Sequence, residues 1–279
     1  MKKLFALTLI LIMLLSLAGC GGKSETAQDK AVDSEQAKSQ QTLSEQAPAP
    51  ENASDGQGIV CVSYEAYDDA WGDFNKHINK QSDDHEIVSV HQSMAMPLEL
   101  KNLNYLLPLS FLGQSQVSMG KFDAAMETGM LDAGWAEDVV LTYDEKGGYL
   151  LKGTDPQGSA LEIKVRYDAK ADSLRLEGYK DGALDMVFEY SKTPDGYAAQ
   201  YHYEAVVDMD KFDAVYGLCT YRLIFAGTNG TCARFDNVSS EPDSILGSIP
   251  DPQSFIGGAT HWFTIANGEF TGKLNGKDF

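Results

Sequence analysis

Cysteine is scarce in this sequence. Four cysteines occur in 279 residues, and Cys20 stands far from the other three, Cys61, Cys219 and Cys232. The body of the chain therefore holds an odd number, which allows at most one internal disulfide. We expect three buried thiols, with a bridge to Cys61 as the alternative.

Basic residues are also under-represented. The chain has 22 lysine and arginine residues against 41 aspartate and glutamate residues, which gives a formal net charge of −19. An acidic surface of this kind repels polyanions, so it argues against nucleic acid as a partner.

The short motifs that mark common catalytic sites are missing. The segment Gly113–Val117 lacks the second glycine of a nucleophile elbow, and no glycine-rich phosphate loop, His-Glu-x-x-His or Cys-x-x-Cys occurs. His77, His85 and His91 have no compact metal-ligand spacing, and we expect them to be exposed loop residues. The sequence thus predicts no catalytic residue, no metal and no cofactor.

The one long apolar run lies at the N-terminus. It spans Leu4–Leu17, follows Lys2 and Lys3, and ends in Leu17-Ala18-Gly19-Cys20. The run is too short for a bilayer span with proper flanks and predicts a secretory signal peptide. Its end resembles the lipobox of bacterial membrane lipoproteins, a resemblance confined to the first twenty residues.

This resemblance implies cleavage after residue 19 and a lipid on Cys20. In such lipoproteins the cysteine thiol carries a diacylglyceryl group and the new N-terminus is acylated, commonly with palmitate. Two or three chains anchor durably, since each buried CH₂ contributes about 0.8 kcal/mol. The implied location is the extracytoplasmic face of the cell membrane. A plain secretory signal that happens to end in cysteine is the alternative.

The composition divides the remaining chain into two parts. Residues 20–58 are rich in Ser, Glu, Gln, Ala, Lys and Pro and have almost no large apolar side chain. Such a segment cannot bury enough surface to offset the entropy of ordering, so it predicts a disordered tether. Residues 59–279 are predicted to form a single α+β domain.

The first third of that domain mixes helices and short strands. Ile59–Ser63 and Glu86–His91 are predicted to be strands, and a short helix is expected before Pro108. Two amphipathic helices are predicted from apolar residues repeated at three- and four-residue intervals. Their apolar faces are Tyr67, Trp71, Phe74 and Ile78 in one helix, and Phe122, Met126, Met130 and Ala133 in the other.

From Val139 onward the apolar period changes to two. Alternating runs around Ile163, Phe188 and Tyr201 are separated by glycine-rich turns, which is typical of antiparallel hairpins. The predicted fold is an antiparallel β-meander, an open half-barrel-like sheet with two or three N-terminal helices packed on its apolar face. We expect the other face to be wet and Glu241–Gly258 to be a long surface loop.

The Asn-Gly pairs at 229–230 and 267–268 predict two-residue hairpin turns. With the first turn, Cys232 would lie opposite Gly227. That is eight residues, or about 26 Å, from Cys219 along the strand, which is too far for a disulfide.

Aromatic residues concentrate in the predicted sheet. If the helices cover its apolar face only partly, a cleft remains for a greasy or aromatic ligand. At the level of the fold this arrangement resembles the open half-barrels of periplasmic lipoprotein carriers. The candidate ligand-binding residues are Tyr167, Tyr190, Tyr201, Tyr203, Met126 and Met130.

Three functions remain open at this point. The first is a tethered, non-enzymatic binding or interaction module for an apolar small molecule, a cell-envelope component or a protein. The second is a cell-envelope hydrolase, which requires two carboxylates, or a Ser or Cys with a His, in one pocket. The third is a structural surface lipoprotein without a ligand.

Overall fold

The computed structural model describes residues 59–80, 104–113, 120–121, 135–144, 148–210, 213–248 and 251–279. Outside these ranges lie the predicted signal peptide (1–19), tether (20–58), strand (86–91) and second amphipathic helix (122–133). The described residues all belong to one compact unit.

Twelve antiparallel strands form one open sheet in which each strand pairs with its neighbours in the chain. The fold is therefore β-rich, and the predicted antiparallel meander is confirmed. The strands are β1 Gly120–Lys121, β2 Glu137–Tyr143, β3 Tyr149–Thr154, β4 Ala160–Asp168, β5 Ser173–Lys180, β6 Ala183–Lys192, β7 Tyr197–Asp210, β8 Asp213–Ala226, β9 Asn229–Phe235, β10 His261–Ala266, β11 Glu269–Leu274 and β12 Lys277–Asp278.

Tight turns determine the register of several hairpins. Asp181-Gly182 joins β5 to β6, and Asn267-Gly268 joins β10 to β11. Both residues of each turn have positive φ, at 50° and 81° in the first and 53° and 85° in the second. Aspartate, asparagine and glycine tolerate this conformation, which suits the twist of the flanking strands. The predicted turn at Asn267-Gly268 is confirmed.

One side of the sheet, here called the inner face, is apolar. Ile163, Val165, Leu176 and Phe188 point to this face and are fully buried. Because alternate residues of a strand share a face, the period-two pattern produces this core directly.

The helix α1, Val60–Lys80, packs its aromatic side against the inner face. Tyr67, Trp71, Phe74 and Ile78 are all buried, as the helical spacing predicted. The ring of Tyr67 stacks on the ring of Tyr190 with centroids 4.8 Å apart. These contacts fill the middle of the inner face with protein.

Two short helices complete the described part of the fold. In the predicted helix near Pro108, residues 104–106 are α-helical and lead into a 3₁₀-helix, Leu107–Ser110. The helix α2, Pro252–Ile256, begins after Asp251, whose carboxylate accepts from the N–H groups of Gln253 and Ser254. No helix among the described residues combines the length and apolar character needed to cross a lipid bilayer.

The prediction of a strand at Ile59–Ser63 is wrong, because α1 begins at Val60. Val60, Ser63 and Tyr67 are all buried, so the helical period extends back to the first turn. Five residues are too few to separate a helical period from a strand period. His77 also lies in α1, half-buried, and not in an exposed loop.

The prediction of a turn at Asn229-Gly230 is wrong as well. The turn is Gly227-Thr228, and Asn229 already pairs with Ala226. Gly230 serves a different purpose, since a Cβ there would lie 2.7 Å from Cζ of Phe74. Glycine is therefore needed at residue 230 for close packing against α1.

The cysteines remain thiols despite this change of register. Cys232 pairs with Leu223, four residues from Cys219, which is about 13 Å along a strand. That separation is still too great for a disulfide. Cys61, Cys219 and Cys232 are buried thiols, as predicted.

The other side of the sheet, here called the outer face, is not uniformly wet. Glu189, Gln200 and His202 point to it and are 0%, 2% and 6% exposed. The segment 236–260, here called the strap, crosses this face, and its side chains Ile245 and Phe255 are buried. The expectation of a surface loop at Glu241–Gly258 is therefore wrong for these two residues.

Candidate functional site

Three of the four described candidate tyrosines lie inside the core. Tyr190, Tyr201 and Tyr203 are buried, whereas Tyr167 is partly exposed. The hydroxyl of Tyr201 lies 2.7 Å from that of Tyr67 on α1. Met126 and Met130 lie outside the described residues.

The phenol groups of these tyrosines stay neutral over the physiological pH range. Burial raises the pKa of Tyr190 and of Tyr201 well above the usual value for a phenol. Burial also raises the pKa of Tyr167, to about 12. Neutral phenols can hydrogen-bond and stack, which are the roles that they have here.

A hydroxyl cluster fastens α1 to the sheet. The Ser63 hydroxyl donates to Oδ1 of Asp172 at 2.5 Å and lies 2.6 Å from the hydroxyl of Tyr190. Tyr167 donates to the same carboxylate oxygen at 3.0 Å. The hydrogen of Ser63 goes to a carboxylate rather than to an imidazole, so this arrangement holds the helix and does not activate a nucleophile.

An ion network anchors the strap to the outer face. The carboxylate of Glu189 accepts from Arg175 at 2.6 Å, from the Ser244 hydroxyl at 2.8 Å and from the N–H of Ile245 at 3.0 Å. Arg175 also pairs with Glu241 of the strap at 2.6 Å. One buried carboxylate and one arginine thus hold the middle of the strap.

The strap covers the outer face incompletely and leaves a groove on each side. The first groove has a volume of about 530 Å³ and lies over the ends of β8, β9 and β10. Its walls are the turn at 193–195 and the start of α2. Its floor consists of outer-face residues, Ile224, Ala226, Thr231 and Thr264.

Several polar groups that line the first groove form hydrogen bonds within the protein. The hydroxyls of Thr231 and Thr264 lie 3.0 Å apart. Oδ1 of Asn229 accepts from the N–H of Asn267, and Asp251 caps α2. The groove therefore offers an apolar floor, with the exposed carboxylate of Asp195 on one wall.

The second groove, of about 470 Å³, is more polar. Arg222 and Phe235 line it from the sheet, and Ser239, Ser240 and Glu241 line it from the strap. This groove thus combines one arginine, hydroxyl groups and an aromatic ring.

A buried polar cluster lies beside the second groove. Asp236 binds Arg234 at 2.5 Å, His261 at 3.2 Å and the thiol of Cys219 at 3.3 Å. Burial opposes ionisation of Asp236, but the bonds from His261 and Arg234 prevail and hold the pKa of this carboxyl below its usual value.

Burial makes the thiol in this cluster a poor nucleophile at neutral pH. Burial raises the pKa of Cys219 to about 11, so the thiolate is scarce at neutral pH. The N–H of Asn275 donates to Nδ1 of His261, which leaves Nε2 to face Asp236. Cysteine and histidine therefore meet at one carboxylate that holds them in place and joins β8 to the strap and β10.

Sequence reasoning missed both grooves because it assigned the polar residues of the strands to solvent. Arg175, Glu189 and Gln200 alternate with apolar residues in the usual amphipathic manner. The only signal of a covered outer face was Ile245 and Phe255 in a segment rich in proline and serine.

No protein-family model, curated protein or solved structure shows significant similarity to this chain. The candidate site is therefore defined by the geometry and chemistry of the two outer-face grooves alone.

Proposed function

We propose that this chain is a lipoprotein held on the extracytoplasmic face of the cell membrane by a lipid on Cys20. The basic start, the apolar run and the segment Leu17–Cys20 support the proposal, because together they resemble a lipoprotein signal. The proposed organisation is signal peptide 1–19, lipidated tether 20–58 and a single domain 59–279.

Metabolic labelling with a fatty-acid probe tests the anchor. The parent chain and a Cys61→Ala variant should both be labelled and found with membranes. The Cys20→Ala variant should not be labelled and should not be found with membranes. Equal labelling of the Cys20→Ala variant would contradict the anchor.

The proposed domain is α+β, with two or three N-terminal helices on the inner face. The aromatic contacts of α1 with the sheet support this organisation, as does the 3₁₀-helix Leu107–Ser110. The predicted helix around residues 122–133 would be a further member of this layer.

The proposed function is that of a tethered, non-enzymatic binding module for a small apolar ligand of the cell envelope. The observation that carries this proposal is the first groove on the outer face. Its volume of about 530 Å³ falls within the range of small-molecule sites, about 300–1,000 Å³. An apolar floor whose neighbouring hydroxyls already bond to each other suits a ligand with few polar groups.

Native mass spectrometry of the full chain, extracted from its membrane, tests this function. We expect a bound amphiphile that organic solvent releases. Ala226→Trp should abolish the bound mass, since residue 226 lies on the floor of the groove. Ala183→Trp is the matched control, because Ala183 is exposed on a distant hairpin.

Retention of the ligand by the Ala226→Trp variant would place the binding site elsewhere. A parent chain that carries no ligand and gains no thermal stability from envelope lipids would instead favour a structural role.

A further inference from the structure

Arg222, which lines the second groove, is held in one orientation by its neighbours. Its Nε donates to Oε1 of Gln200 at 2.9 Å, and Gln200 in turn donates to the carbonyl of Asp243 at 3.1 Å. The guanidinium carbon lies 5.3 Å and 6.0 Å from the ring centroids of Phe235 and Phe255. Such stacking fixes the plane of the guanidinium without using its terminal N–H groups.

The terminal nitrogens of Arg222 have no hydrogen-bond partner among the described residues. The other three arginines, Arg166, Arg175 and Arg234, each pair with at least one carboxylate. Arg222 forms no such pair within the described ranges. Burial lowers the pKa of Arg222, and the charge of Asp243 opposes this effect.

The charges nearby restrict the class of anion that would fit. Glu241 and Asp236 line the same groove, but Glu241 is paired with Arg175, and Asp236 with Arg234 and His261. Their negative charges oppose a dianion more strongly than a monoanion. The formal charge of −19 also opposes non-specific attraction of any anion, so binding must come from local contacts.

We propose that the second groove binds a small molecule through one carboxylate, which accepts two hydrogen bonds from the terminal nitrogens of Arg222. Planar carboxylates match the fork of a guanidinium, and such bidentate pairs are among the stronger hydrogen bonds in proteins. Ser239 and Ser240 supply hydroxyls for a polar ligand body, and Phe235 supplies an aromatic wall. This site is separate from the first groove, so either proposal can fail without the other.

Titration of the full chain with phenylacetate, followed by ligand-observed NMR, tests the site. Phenylacetamide has the same shape without the charge, and inorganic phosphate is the dianionic comparison. We expect saturable binding of phenylacetate and at least about tenfold weaker binding of the other two, because a hydrogen bond to a charged group contributes about 1.5–3 kcal/mol. A tripeptide with a free C-terminus, compared with its amide, distinguishes a peptide source of the carboxylate from a free acid.

Variants separate local recognition from a general effect of charge. Arg222→Gln should weaken phenylacetate binding about tenfold or more, and Arg222→Lys should restore only part of it because lysine lacks the fork. Arg166→Gln, which removes an arginine four strands away from Arg222 in the sheet, should leave binding unchanged. Ser240→Trp should block the groove from an exposed position and so does not depend on the folding of the Arg222 variants.

Unchanged binding in both Arg222→Gln and Ser240→Trp would overturn the proposal. Equal affinity for phenylacetate and phenylacetamide would overturn it too, as would the absence of saturable binding by every carboxylate tested.

Discussion

The two faces of the sheet are covered by different chemistry. On the inner face, α1 inserts stacked aromatic rings, and Tyr67, Trp71 and Phe74 are buried within one large core. On the outer face the strap is held by a buried carboxylate, Glu189, and by a small cluster around Ile245 and Phe255.

The difference suggests a reason for the position of the two grooves described above, which both lie on the outer face. Apolar rings pack without direction, so they fill the available space and leave the core dense. Ion pairs and hydrogen bonds fix a segment at a few points and leave gaps between those points. A segment anchored in this way can border binding sites, whereas the aromatic side chains of α1 fill the space over the inner face.

Truncation of one phenylalanine on each face should give the largest contrast. Phe74→Ala should lower the free energy of unfolding by about 3–5 kcal/mol, because it leaves a cavity in the large core. Phe255→Ala should affect global stability less and should expose the strap to proteolysis, because the strap can detach locally. Chemical denaturation and limited proteolysis of the full chain measure the two effects. Equal global losses without strap cleavage would contradict the division between faces.

The anchor of the strap can be tested at its buried carboxylate. Glu189→Gln should cost about 2–3 kcal/mol, because the amide cannot satisfy Arg175, Ser244 and the N–H of Ile245 as the carboxylate does. Glu241→Gln is the matched control on the same arginine. It should cost less than about 1 kcal/mol, since Glu241 is partly exposed. Similar costs for the two variants in denaturant unfolding would count against Glu189 as the main anchor.

Acid should weaken the junction between the strap and the sheet. The pKa of Asp236 is held below its usual value, so its contribution is complete above about pH 4 and is lost as pH falls through the lowered pKa. We expect Asp236→Asn to lose about 1.5 kcal/mol at pH 6 and to show a flatter stability profile between pH 6 and pH 3 than the parent. Parallel profiles for the two chains, measured by urea unfolding, would show that Asp236 does not contribute in this way.

Removal of a single hydroxyl on the inner face should have the smallest effect on stability. Tyr67→Phe removes the bond to Tyr201 but keeps the stacked ring, and it should cost about 1 kcal/mol. The double variant Tyr67→Phe with Tyr201→Phe should cost less than the sum of the two single variants. Strict additivity in thermal unfolding would mean that the two hydroxyls are not coupled.

The inner face could be predicted from the sequence because its apolar residues recur at regular intervals along the chain. The spacing of Tyr67, Trp71, Phe74 and Ile78 indicates a helix, and alternation around Ile163 indicates a strand. Both signals come from apolar side chains that repeat with the geometry of the backbone.

The outer face could not be predicted because its contacts join residues far apart in sequence. Glu189 meets Ile245 across 56 positions, and nothing near Glu189 in the chain distinguishes it from a solvated glutamate. Gly230 illustrates the same limit, since Asn229-Gly230 favours a turn locally but the ring of Phe74 on α1 requires a glycine in the strand. Tertiary packing, and not local sequence preference, determines the conformation and the surroundings of these residues.

Photo-crosslinking with a neutral, diazirine-bearing alkyl alcohol tests the central claim, that ligands bind on the outer face, most directly. With the membrane-extracted full chain and excess unreactive alcohol as competitor, we predict competed crosslinks around Ala226, Pro252 and Thr264. Competed crosslinks concentrated instead at Tyr190 and Tyr201 would mean that α1 leaves its place and that the inner face is the binding site.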